Sequence, residues 1–201
     1  MKKFIVVILV LLMISCTFNN TKINNYKNPR KALLVVDMQA DYIGENGKYT
    51  IEKSQIENLV KTTNNIIDEF HNNNDKVIYL RNIFRKNDFK NRFRNYAVVE
   101  GTPGTEIDPA INIASEYVFD KYSPNAFTNT DFENFLIQNQ INELYFYGVM
   151  ADQCVYQTAL AAFKKGYTVN YYINAVGSSS VENIEKATKK LSRKGINIVE
   201  Y

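Results

Sequence analysis

The sequence has little net charge, few cysteines and no obvious linker. Its 24 Lys and Arg residues nearly balance 21 Asp and Glu residues, which gives a net charge of +3 at pH 7. This balance does not indicate a nucleic-acid-binding surface, so no nucleic acid partner is expected. The 201 residues contain no internal repeat and no Gly/Ser-rich stretch, and therefore predict one α/β domain with a sizeable core.

The N-terminal segment is typical of an export signal. Two lysines precede an unbroken apolar run over residues 4–14, which is too short to span a membrane comfortably but has the length of a signal-peptide core. Ser15 and Cys16 follow, and this ending resembles bacterial lipoprotein signals, whose cysteine is lipidated after cleavage. We predict a signal peptide over residues 1–16, lipidation of Cys16 and a polar tether over 17–28, so that a membrane-anchored lipoprotein faces the outside of the cytoplasm. Ordinary secretion and an uncleaved anchor are the alternatives.

Apolar runs and amphipathic patterns alternate along residues 29–201. Strand-like runs cover residues 32–36, 77–80, 117–119, 144–147, 168–173 and 197–199. Helical patterns cover residues 52–73, 131–139, 154–165 and 181–194. The alternation predicts a single three-layer, Rossmann-like α/β domain, in which a mostly parallel sheet of roughly six strands carries helices on both faces.

Cys154 stands where a strand-like run gives way to a helix. The apolar run breaks at Gly148, and Cys154 then falls in the first turn of an amphipathic pattern. Unpaired N–H groups and the helix dipole at such a position favour a thiolate and would lower the thiol pKa from its ordinary value of about 8.5. The alternative is a small buried hydrophobic residue. Because lipidation of Cys16 would leave no second free thiol, no internal disulfide could form and a redox role ranks last.

Two charged residues follow apolar runs and could activate this thiol. Asp37 ends the first run, and a carboxylate at the carboxyl end of a buried parallel strand points into the crevice where open α/β sheets bind ligands. Lys121 closely follows the run over residues 117–119. Each has a plain alternative, since Asp is common as a helix cap or turn residue and Lys is usually solvated.

Four motifs occur in the order found in one superfamily. They read LLVVDMQADY (33–42), GTPGTEIDPAI (101–111), DKYSPNAF (120–127) and GVMADQCVYQTALAAFKKGY (148–167). Together they resemble the isochorismatase-like cysteine hydrolases, the superfamily that contains the nicotinamidases, over almost the whole chain after Asn28. The resemblance implies a catalytic triad made of Asp37, Lys121 and Cys154. Asp37 would take the thiol proton, Lys121 would balance the charge of the pair, and Cys154 would attack a carbonyl to form a thioester acyl-enzyme.

The same resemblance implies an oxyanion hole and substrate contacts. A cis peptide between Val149 and Met150 would turn the amides of Met150 and Cys154 towards the developing oxyanion. Aromatic residues near the motifs could be core or pocket wall. Those that we predict to contact substrate are Tyr42, Tyr122 and Phe127.

A single histidine limits the metal chemistry. Nicotinamidases of this superfamily bind a divalent ion through an Asp-x-His segment and a later histidine, whereas the one histidine here, His71, ends a predicted helix. No metal or other cofactor is therefore expected, and a metal-free amidase describes the chain better than a nicotinamidase. Isochorismatases proper lack the nucleophilic cysteine, so Cys154 argues against vinyl-ether cleavage.

The predicted function is hydrolysis of a small carboxamide at a carbon–nitrogen bond that is not a peptide bond. The alternative is a catalytically idle, membrane-anchored binding scaffold of the same fold. An exposed apolar helix face would favour a homo-oligomer in either case.

The interval over residues 82–104 has no clear periodicity, which is typical of a lid or binding loop. A solvated loop is the default explanation of its many cations, but a functional cluster would suit a substrate with a carboxylate or phosphate. The cations lie over residues 81–94 and are Arg81, Arg85, Lys86, Lys90, Arg92 and Arg94.

Overall fold

A computed structural model describes residues 23–201. Cys16 and the predicted signal peptide lie outside these residues. Part of the predicted tether is described: Ile23–Asn25 form a short 3₁₀ helix, and the apolar side chain of Ile23 packs against the core of the domain. Within residues 23–201, no helix has the length and apolar character needed to cross a membrane.

Six strands form one sheet, and all five pairings between them are parallel. The strand order is β3-β2-β1-β4-β5-β6. This confirms the predicted fold class, because each apolar run became a strand. The strands are β1 (Arg30–Val36), β2 (Lys76–Asn82), β3 (Val118–Lys121), β4 (Ile141–Val149), β5 (Thr168–Gly177) and β6 (Asn197–Val199).

Helices cover both faces of the sheet. The residues of β1 alternate between two cores: Leu33 and Val35 pack with the first two helices, and Leu34 and Val36 pack with the other three. The four predicted helices are confirmed, and the short first helix is an addition that the sequence patterns did not indicate. The helices are α1 (Ala40–Ile43), α2 (Lys53–Asn72), α3 (Thr130–Gln138), α4 (Cys154–Lys164) and α5 (Val181–Ser192).

Gly148 lets β4 lie against β1 just before the Cys154 turn. Its φ is +111°, and a Cβ added there would lie 2.0 Å from the carbonyl oxygen of Val36. Because the obstacle is backbone in the centre of the sheet, neither side can move away cheaply.

Gly148→Ala should therefore lower the free energy of unfolding by at least about 3 kcal/mol or prevent folding altogether. Gly166→Ala is the matched control, since Gly166 also has a positive φ (+95°) but no atom within 4 Å of its added Cβ. That control should lose only about 1 kcal/mol. Urea unfolding followed by circular dichroism measures both variants, and equal losses would contradict the role given to Gly148.

Candidate functional site

The three predicted catalytic residues meet at the carboxyl ends of the central strands. Asp37 directly follows β1, Lys121 is the last residue of β3, and Cys154 begins α4 after β4. Since all the strands are parallel, these positions share one edge of the sheet. The topology thus brings together residues that lie 117 positions apart at the extremes (154 − 37).

Asp37 and Lys121 form a buried ion pair. The Nζ atom of Lys121 donates to Oδ2 of Asp37 at 2.8 Å, and each side chain is only 1% exposed. Lys121 is therefore not a solvated surface lysine. The other carboxylate oxygen, Oδ1 of Asp37, is buried and has no hydrogen-bond partner among the described residues. This oxygen is left to accept a proton from a neighbouring group.

The neighbouring group is the thiol of Cys154, which is buried and in electrostatic contact with both members of the pair. Burial, followed by the charge of Asp37, raises the pKa of Cys154 to about 12, although Lys121 acts in the opposite direction. The expectation of a lowered pKa from the helix start was wrong, because burial and a nearby carboxylate outweigh it. Cys154 is therefore a thiol at rest, and it could act as a nucleophile only if a base removed its proton.

Asp37 is suited to be that base. Burial raises the pKa of Asp37, and Lys121 and Cys154 only partly oppose the shift. A carboxylate with a raised pKa is a stronger base than a solvated one. Burial lowers the pKa of Lys121, but Asp37 and the thiol raise it by more, so the ammonium keeps its charge.

The thiol pKa predicts how alkylation of Cys154 responds to pH. Because thiolate is the attacking species, the rate constant of folded Cys154 with iodoacetamide should still rise through pH 10. In the urea-unfolded chain, the rate constant of the same cysteine should reach half of its maximum near pH 8.5, since the ordinary cysteine pKa is about 8.5. Mass spectrometry of the Cys154 peptide separates this reaction from that of Cys16. A plateau below pH 8 in the folded protein would indicate a stabilised thiolate and contradict the raised pKa.

Two backbone N–H groups lie beside the thiol with no acceptor. The Val149–Met150 peptide is cis, at the bond that the sequence resemblance implied. In the described part of the chain, neither the N–H of Met150 nor that of Cys154 donates a hydrogen bond, while the Met150 carbonyl accepts from Gln153 and Val155. Met150 and Cys154 both line the same cavity. These two donors are therefore available to an oxygen of a bound molecule.

Asn82 connects the ion pair to Tyr42, a link that we did not predict from the sequence. Its Oδ1 lies 3.4 Å from Nζ of Lys121, and its Nδ2 donates to the Tyr42 hydroxyl at 2.9 Å. Gln39 holds Asn82 in place by accepting from its N–H at 2.8 Å and donating to its carbonyl at 3.0 Å. The available signal was a polar residue at the end of β2, beside the edge that carries Asp37.

A cavity of about 400 Å³ opens onto the thiol. Tyr42, which the sequence resemblance implied, and Tyr122, which was predicted from its place beside Lys121, both line it. Burial strongly raises the pKa of Tyr42, so its hydroxyl keeps a proton that it can donate. Phe127 requires a correction: its ring packs into the core against Phe132 and Tyr167, with centroids at 5.2 and 5.6 Å, and it does not line the cavity.

The interval over residues 82–104 is ordered and forms one wall of the cavity. It contains a 3₁₀ helix, Phe89–Arg94, and is tied to α1 because the N–H of Val98 donates to the Asp41 carboxylate at 2.7 Å. The cations of the predicted basic cluster do not all lie at the same site. Arg81 pairs with acidic residues beside a different cleft, whereas Lys90 and Arg94 line the cavity with Cys154.

Comparisons with known proteins agree with this fold. The isochorismatase domain family matches residues 31–200. The isochorismatase family protein YddQ of Bacillus subtilis is 28% identical over 156 residues, which cover 77% of this chain and 82% of YddQ. The nicotinamidase/pyrazinamidase PncA from Bacillus subtilis has a TM-score of 0.76 at 27% identity, covering 85% of this chain and 100% of PncA. The pyrazinamidase of Pyrococcus horikoshii in complex with zinc has a TM-score of 0.76 at 27% identity, covering 86% and 100%.

The Pyrococcus structure holds zinc, but the donor side chains of residues 23–201 do not form a set that fits such an ion. Among residues 23–201, no group of three or more His, Cys, Asp and Glu side chains could hold a metal. His71 lies in the last turn of α2 and borders a different surface cleft.

Proposed function

This chain belongs to the isochorismatase family and is a hydrolase of that family, and we propose that it cleaves a small carboxamide through a thioester on Cys154. The observation that carries the proposal is the buried Asp37–Lys121 pair beside the thiol, with one carboxylate oxygen left unpaired. Burying a charge pair has a desolvation cost. The buried Asp37 carboxylate is a base for the thiol that water does not solvate. Its structural neighbours include a nicotinamidase/pyrazinamidase and a pyrazinamidase, which supports cleavage of a carboxamide carbon–nitrogen bond.

The proposed first half-reaction transfers an acyl group to sulfur. Asp37 accepts the thiol proton while Sγ of Cys154 attacks the carboxamide carbon. The charge that develops on the carbonyl oxygen is met by the N–H groups of Met150 and Cys154, each worth about 3–4 kcal/mol at the transition state. As the tetrahedral intermediate collapses, Asp37 passes its proton to the nitrogen and ammonia leaves.

The second half-reaction regenerates the thiol. Asp37, again a carboxylate, takes a proton from water while the water oxygen attacks the thioester carbonyl. The carbon–sulfur bond breaks, sulfur recovers the proton from Asp37, and the carboxylic acid leaves. Lys121 stays charged throughout and keeps the Asp37 carboxylate oriented by the bond of 2.8 Å.

The proposed setting is the outer side of the cytoplasmic membrane, where lipid on Cys16 would hold the domain. The proposal includes no metal, because the donor side chains of the described residues do not form a ligand set. A binding scaffold that performs no chemistry is the competing outcome of the test below.

Ammonia release by the purified full chain in detergent tests the proposal. The panel contains nicotinamide, pyrazinamide and aliphatic carboxamides with neutral and with acidic side groups, each assayed before and after dialysis against a chelator. We expect at least one carboxamide to release ammonia at a rate that the chelator does not change. Absence of ammonia release across the whole panel, from protein that circular dichroism shows to be folded, would favour the binding scaffold. Loss of the rate on chelation and its return with zinc would overturn the metal-free chemistry.

A further inference from the structure

The 3₁₀ helix Phe89–Arg94 presents two cations to the cavity that contains the nucleophile. Lys90 and Arg94 both line this cavity together with Cys154. Arg94 is held rigidly: its guanidinium carbon lies 3.7 Å from the centroid of the Phe84 ring, and its Nη1 donates to Asp88 at 3.1 Å. A cation fixed in this way is a preformed part of the wall.

The charges around the cavity do not cancel. Asp37 is paired with Lys121, and Asp88 is paired with Arg94. Lys90 forms no salt bridge with any carboxylate in residues 23–201. Its backbone N–H donates to Asp88 at 2.9 Å, but its ammonium does not. The thiol is neutral at rest because its pKa is raised. When the buried Lys121 is counted with its partner Asp37, the charged groups at the cavity sum to +1. The cation without a carboxylate partner is Lys90, an exposed residue that lines the cavity.

We infer that the substrate of this site is a carboxamide bearing an anionic oxygen group, a carboxylate or a phosphate, which Lys90 binds while the amide carbonyl lies at Cys154. This inference rests on the proposed function and names its substrate class. An anion in the cavity would neutralise the excess charge, and Arg94 beside it would add a donor that Phe84 and Asp88 hold in place. A neutral amide would leave the ammonium of Lys90 without a partner on the cavity side.

The test compares acidic and neutral amides of equal size. The acidic probes are ω-carboxy carboxamides with two to four methylene groups, and each neutral probe carries a methyl ketone in place of the carboxylate. The wild-type full chain should show a kcat/KM at least about fivefold higher for the best acidic probe than for its neutral partner, and this preference should fall as salt is added. A phosphate-bearing carboxamide of the same length shows which anion is preferred.

Lys90→Gln should lower the ratio of acidic to neutral kcat/KM by about fivefold. Lys86→Gln is the matched control, because Lys86 is exposed on the same loop and does not line the cavity. It should leave both the ratio and the rate unchanged. An equal fall of the ratio in both variants would assign the preference to the general charge of the loop and overturn the role of Lys90.

A second readout does not depend on turnover. Cys154 is alkylated by a maleimide carrying a carboxylate and by a neutral maleimide of the same size, with Lys90→Gln alongside. A preference for the anionic reagent that Lys90→Gln abolishes, without hydrolysis of any amide, would support the anion site and refute the amidase. Hydrolysis with no preference for acidic probes, or alkylation equal for both reagents, would overturn the anion site and leave the amidase standing.

Discussion

Cys154→Ala should lower the rate of carboxamide hydrolysis by at least about 10⁴-fold while the protein remains folded. The substitution removes the atom that forms the thioester, and no other cysteine lies among residues 23–201. The loss in stability should stay within about 1.5 kcal/mol, because one buried sulfur atom is removed from a cavity wall. Ammonia release and urea unfolding measure the two effects separately.

Cys16→Ser is the control for this substitution. It removes the other cysteine of the chain and should leave the rate of the purified protein unchanged. Hydrolysis that persists in Cys154→Ala and disappears in Cys16→Ser would show that Cys16, and not Cys154, is the nucleophile. Retention of the wild-type rate in both variants would exclude cysteine catalysis.

Lys121→Met should cost both activity and stability. It leaves the Asp37 carboxylate, 1% exposed, without its cation, and breaking a buried pair in this way costs about 3–5 kcal/mol in the free energy of unfolding at neutral pH. Hydrolysis should fall by at least about 10³-fold, because the unpaired Asp37 becomes protonated and cannot act as the base.

The stability that Lys121→Met loses should depend on pH in a defined direction. Without Lys121, the pKa of Asp37 in the folded protein is raised above its unfolded value by burial. A carboxyl group with a raised folded pKa favours the folded state below the unfolded pKa, and this contribution is lost as the pH rises through the folded value. The difference in the free energy of unfolding between wild type and Lys121→Met should therefore narrow as the pH is lowered towards about 4, the unperturbed pKa of Asp.

A double variant separates stability from catalysis. Asp37→Asn suits the left-handed backbone at this position, where φ is +54°, and together with Lys121→Met it removes both buried charges. The double variant should recover part of the stability lost by Lys121→Met and remain inactive, because it lacks the base. If the double variant lost the sum of the two single losses, or retained hydrolysis, the coupling between these residues would be refuted. Urea unfolding at several pH values and ammonia release provide both readouts.

The fold could be predicted because buried parallel strands appear in the sequence as short apolar runs. The central strand β1 is nearly apolar, as in LLVV at residues 33–36, shorter apolar runs mark the other strands, and amphipathic helices lie between most of them. Once the sheet is parallel, polar residues that follow strands must meet at one edge. This geometric rule, together with the motifs, placed Asp37, Lys121 and Cys154 together.

Other properties depend on packing that no local pattern records. The helix start at Cys154 was visible in the sequence, but the burial that raises its pKa was not. Phe127 is the last residue of the lysine motif, yet its ring packs in the core. Cations of the same cluster also have different surroundings. Arg81 forms a salt bridge with Asp120, whereas Lys90 lines the cavity.

The most direct test of the proposed chemistry is the mass of Cys154 during turnover. The full chain is mixed with a carboxamide that it hydrolyses, quenched in acid within the first turnovers and digested for mass spectrometry. The Cys154 peptide should gain the mass of the substrate minus ammonia, and hydroxylamine should remove that mass, as expected for a thioester. Release of ammonia with an unmodified Cys154 peptide, or with the acyl group on another residue, would contradict cysteine catalysis at this site.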